Sequence, residues 1–82
     1  MNKFNFDVDQ LDFDIEELIQ QLEEEHGRMI VRIPKMKRKD AFIYEFSAIF
    51  SDYSLLEARM LMIPRYTIKG IEAEIHVHGY YL

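Results

Sequence analysis

Phe4, Phe6 and Val8 alternate with Lys3, Asn5 and Asp7 at the start of the chain. A two-residue period puts the three apolar side chains on one side of an extended backbone, so a short strand is predicted from Asn2 to Val8. The period then changes. Ile15, Leu18, Ile19 and Leu22 recur at the spacing of one helical face. Asp14 precedes them as an N-cap with Glu17 three residues on, and Phe13 with Leu18 fits a hydrophobic staple across that start. Gly27 tolerates the left-handed position that closes many helices, so a helix is predicted from Asp14 to Gly27.

Alternation resumes with Met29, Val31 and Ile33 against Arg28, Ile30 and Arg32. Pro34 lacks an amide hydrogen and is expected to end that strand, leaving Lys35 to Asp40 as a polar loop. From Ala41 to Phe50, aromatic and β-branched residues are dense. Phe42, Tyr44, Phe46, Ala48 and Phe50 fall on one face, which predicts a long central strand. Residues 54–63 carry two signals. Ser54 and Glu57 form a capping-box pattern among good helix formers, whereas Glu57 and Arg59 also fit the exposed side of a strand. A short helix stopped by Pro64 is expected here, with a strand as the alternative. After Gly70, Ile71, Ala73, Ile75 and Val77 alternate with Glu72, Glu74, His76, His78 and Tyr80, predicting a last strand from Ile71 to Tyr81.

The order βαββαβ is the split βαβ arrangement, an α+β fold with an antiparallel sheet and both helices on one face. The runner-up packs one helix on an all-antiparallel sheet. The 82 residues fit one domain. A chain of this size buries roughly 60 to 65% of its unfolded surface, with a net stability of a few kcal/mol, so a homodimer is among the expectations. The absence of cysteine excludes disulfides, thiol nucleophiles and thiolate zinc sites. The longest apolar run, Met60 to Ile63, is far short of the roughly 20 residues that span a bilayer. A cytoplasmic protein with no membrane partner is therefore expected.

Charge is distributed unevenly. Nine of the fifteen carboxylates lie in the first 26 residues, where Lys3 is the only base, while nine Lys and Arg face six Asp and Glu in the remainder. The total of −5 thus conceals an acidic segment, Asp7, Asp9, Asp12, Asp14, Glu16, Glu17, Glu23, Glu24 and Glu25, and a basic one, Lys35, Lys37, Arg38 and Lys39. The Glu triplet occupies the last predicted helical turn, where the macrodipole disfavours anions by about 0.3 to 1 kcal/mol each. Such a surface suits a basic partner and can imitate a nucleic-acid backbone. The plainer reading is a solvated helix face balanced by the domain's own Lys and Arg.

Other chemistry has thinner support. Asp7, Asp9 and Asp12 do not make a calcium loop, because Asp12 stands where glycine is needed and Leu18 where glutamate is needed. His76 and His78 project from one face of a strand and would need a third ligand, Glu72, Glu74 or the distant His26, to hold a metal. Two half-exposed histidines on a polar sheet face are the ordinary alternative. No nucleophile elbow or phosphate-cradling glycine loop supports catalysis, and no cofactor is expected. Single-stranded nucleic acid is a further alternative, using the Lys35, Lys37, Arg38 and Lys39 loop beside Tyr44 or Tyr80 on a sheet. A pI near 5.1 opposes it.

The leading expectation is a non-enzymatic regulator or inhibitor. Its acidic N-terminal region would dock on a basic surface of a nucleic-acid-handling protein, with no direct contact to nucleic acid. Small acidic proteins of this kind occur among the inhibitors of phages and other mobile elements, which is analogy rather than resemblance.

Overall fold

The computed structural model describes residues 3–82. A 3-10 turn (Val8–Gln10) is followed by helix α1 (Ile15–His26) and strands β1 (Ile30–Asp40), β2 (Ile43–Phe50), β3 (Leu55–Thr67) and β4 (Gly70–Tyr81). The strands form one sheet in the order β1-β2-β3-β4, each antiparallel to its neighbours. The fold is α+β, with one α-helix among the described residues where two were expected.

α1 begins and ends where its capping residues dictate. The Asp14 carboxylate accepts the Glu16 N–H at 3.0 Å, satisfying a donor that the first helical turn leaves free. At the other end Gly27 sits at φ 65° and donates its N–H to the Glu23 carbonyl. Ile15, Leu18, Ile19 and Leu22 are the buried stripe. They share a core with Tyr44, Phe46, Ala48 and Phe50 of β2 and Leu56, Ala58, Met60 and Met62 of β3. Ile75 and Val77 of β4 pack partly against it.

The segment expected as a helix over residues 54–63 is strand from Leu55 onward. Leu56, Ala58 and Met60 pair with Ala48, Phe46 and Tyr44, and all six side chains are buried. Helix propensity differs by only about 0.7 kcal/mol per residue among ordinary side chains, whereas burying one Leu or Met is worth about 1.5 to 3 kcal/mol. The pairing outweighs the propensity.

Neither proline ends its strand. Pro34 lies in the edge strand β1 at an irregularity, where the register against β2 shifts between Arg32 and Lys35. The extra residue frees the ladder from needing its amide. Residues 35–40, expected as a loop, therefore continue β1. Pro64 follows Met62, whose N–H donates to the Phe42 carbonyl at 2.8 Å, the last bond from β3 towards β2. Two residues further along, its missing donor would face the same side, where β2 has already ended.

The strand expected from residue 2 to residue 8 does not form as such; Asn2 lies outside the described residues. The Lys3 carbonyl accepts the Ile33 N–H, and Phe4 makes an isolated parallel bridge to Ile33. Asp7 then accepts the Asp9 N–H and starts the 3-10 turn. Phe4, Phe6 and Val8 nonetheless pack on the core, so their apolar pattern reports burial without a ladder.

Candidate functional site

The acidic residues surround α1. Asp7 and Asp14 spend a carboxylate oxygen on local backbone N–H groups, and Glu23 accepts the Ile30 N–H at 2.8 Å, fastening the helix end to the start of β1. Asp12 forms an ion pair with Arg38 at 2.7 Å. Asp9, Glu16, Glu17, Glu24 and Glu25 remain exposed, and among the described residues none of the five has a base within 4 Å. The nine carboxylates therefore divide into four that shape the fold and five that face outward.

The sheet face opposite α1 carries most of the bases. Lys35 pairs in register with Ser47, Lys37 with Glu45, Glu45 with Arg59, and Arg59 with His78. Lys35, Lys37, Glu45, Arg59, His78 and Tyr80 line a shallow depression together with Glu57. The acids are interleaved with the bases. Glu45 lies 3.0 Å from Arg59 and 3.4 Å from Lys39, and the Arg59 hydrogen bond, helped by Lys39, holds its carboxyl below the usual range. The buried Ser47 hydroxyl donates to Glu57 at 3.0 Å.

This geometry changes the nucleic-acid alternative. Tyr44 is 3% exposed on the helix-facing side and cannot stack a base there. Arg38 also turns to that side, with its guanidinium 5.6 Å from the Tyr44 ring. Lys35, Lys37 and Lys39 stand on a strand instead of a polar loop, with Tyr80 exposed beside them.

The histidines separate. His76 approaches Glu74 at 3.5 Å on the open sheet face, and His78 follows on the same face. His26 ends α1 and meets the Tyr81 hydroxyl through Nδ1, on the helix side of the sheet, so it cannot complete their shell. Among the described residues no group of three or more His, Asp or Glu is placed to hold a metal.

Two features escaped the sequence reading. At one end of the sheet Arg28 donates to Ser54 at 2.8 Å, pairs with Asp52 at 3.3 Å and lies 4.9 Å from the Tyr81 ring. Ser54 is thus not a helix cap; its hydroxyl and amide bind Asp52 and keep that carboxyl below its ordinary value. At the opposite end β3 and β4 run past the core as a two-stranded ribbon, with Ile63, Tyr66, Ile68 and Ile71 exposed. The apolar residues beyond Pro64 were the available signal for that ribbon.

Comparison of the chain with protein-family models, curated proteins and solved structures finds no match. Function rests on the surface chemistry. Among the described residues no helix is long and apolar enough to cross a membrane.

Proposed function

We propose that the protein is a non-enzymatic interaction module, a regulator or inhibitor that sets the acidic face of α1 and its preceding turn against a basic surface of another protein. A surface that otherwise binds nucleic acid has the required charge. One observation carries this reading: Glu16, Glu17, Glu24 and Glu25 are exposed and, among the described residues, form no ion pair within 4 Å, whereas Arg28, Arg38, Lys39, Arg59 and Arg65 each pair with another carboxylate. The absence of direct ion pairs at these four positions supports an outward negative potential. Charge of this kind steers encounter and sets specificity more than it adds raw affinity.

The test is charge reversal at Glu16, Glu17, Glu24 and Glu25, each changed to Lys. Glu23 is spared because it holds the Ile30 amide. Captured partners should be lost while the circular dichroism spectrum is kept, and wild-type capture should weaken as salt rises. Capture of the same proteins with the same salt dependence by the reversed variant rejects the reading. Single-stranded nucleic acid on the open sheet face ranks second, supported by Lys35 and Lys37 beside Tyr80 and opposed by Glu45 and Glu57 among them. It predicts that Lys35→Gln with Lys37→Gln lowers affinity for single strands and flattens the salt slope.

A further inference from the structure

The two edges of the sheet are built differently. β1 carries Pro34, Lys35, Lys37, Lys39 and register irregularities, and Lys3 and Phe4 cross it at Ile33. These are the devices that stop an edge strand from recruiting another chain. β4, the other edge, has twelve residues and none of them is Lys or Pro.

The free side of β4 can be assigned. Leu82, just past the strand, donates its N–H to the Leu55 carbonyl, so even-numbered residues bond to β3 in this antiparallel register. Ile71, Ala73, Ile75, Val77 and Gly79 consequently turn their N–H and C=O groups away from the sheet. The Ile75 carbonyl agrees, since it accepts the Gln21 side-chain amide from α1 at 3.5 Å.

We propose that this edge pairs with the β4 of a second copy, antiparallel about a two-fold axis at Ile75, joining two sheets into one. This reading stands apart from the acidic-face proposal. The sequence around Ile75 is self-complementary in charge. In that register Glu74 lies opposite His76 of the second copy and Glu72 opposite its His78, all on the open sheet face, and each pair occurs twice. Centring on Glu74 or His76 sets that residue against its own copy, so Ile75 is the centre at which both carboxylates meet imidazoles. On the helix side the same register sets the exposed Ile71 opposite Gly79 of the second copy, where no side chain crowds it, and Ala73 opposite Val77. The Ile75 N–H of the second copy replaces the long Gln21 contact.

Three measurements decide it. Sedimentation of the wild-type chain should show a dimer that dissociates on dilution. Ala73→Pro removes a donor that faces away from β3, so the monomer keeps its circular dichroism spectrum while association falls roughly tenfold or more, two ladder bonds being lost per dimer. Ile75→Cys supplies the only thiol, and mild oxidation should cross-link it across the axis far faster than Lys69→Cys at the ribbon tip. If Ala73→Pro fails to fold, the Ile75→Cys and Lys69→Cys rates decide alone. A wild-type chain monomeric at roughly millimolar concentration, a dimer that persists in folded Ala73→Pro, or equal cross-linking of the two cysteines overturns the proposal.

Discussion

The Arg38 guanidinium lies 2.7 Å from the Asp12 carboxylate and ties the segment before α1 to the far end of β1. Both side chains are 46% exposed, so the pair is worth at most about 1 kcal/mol. Arg38 does more than pair. It donates to the Asp40 and Ala41 carbonyls and covers Tyr44. Asp12→Asn should therefore cost under about 1 kcal/mol in urea unfolding, and Arg38→Ala roughly 1 to 2 kcal/mol. Equal costs would show that the turn contacts contribute nothing.

Glu45 and Asp52 both titrate below their ordinary values, Glu45 chiefly through Arg59 and Asp52 chiefly through the Ser54 hydroxyl. A carboxyl depressed in the folded state contributes stability that is complete above its unfolded pKa and fades as pH falls through the lower folded one. NMR titration should find Arg59→Ala raising Glu45, and Ser54→Ala raising Asp52, towards the usual range. Unmoved carboxyls would remove these contacts as the cause.

Gly79 has no room for a side chain. A Cβ there would sit 2.9 Å from the Glu57 carbonyl oxygen and 3.0 Å from a Leu56 methyl carbon. Gly79→Ala must push β4 from β3, with an expected loss of about 1 to 3 kcal/mol, read by thermal or urea unfolding. Gly27→Ala meets no such crowding and loses only the left-handed preference, about 1 kcal/mol.

Tyr53 occupies the left-handed region at φ 67° in the turn between β2 and β3, and the residue is 90% exposed. A bulky residue is strained there and its ring receives little packing in return. Tyr53→Gly should stabilise the fold by up to about 1 kcal/mol. A lower melting temperature would show that the exposed ring packs in solution.

The sequence showed some elements more plainly than others. α1 was legible because Asp14, the Ile15-to-Leu22 stripe and Gly27 agree in one short window. The faces of β2 and β4 followed from alternation alone. β3 was hidden because Leu56, Ala58, Met60 and Met62 are good helix formers, and the β2 partners Ala48, Phe46 and Tyr44 lie 8, 12 and 16 residues before Leu56, Ala58 and Met60, outside a local window. Pro34 and Pro64 looked like stops because a proline's tolerance depends on which side of the strand it faces, which only the register reveals. The acidic segment was visible as composition, but its division into fold-shaping and outward carboxylates depends on contacts such as Glu23 with Ile30 and Asp12 with Arg38.

Because beyond Pro64 the outer part of β3 has, among the described residues, β4 as its only strand partner, the Ile68 and Lys69 tip lies outside the part of the molecule whose integrity folding requires. Extra residues spliced between those two positions would lengthen a lever without loosening its fulcrum. A fluorophore or a short epitope grafted there can report on the molecule with little effect on its melting.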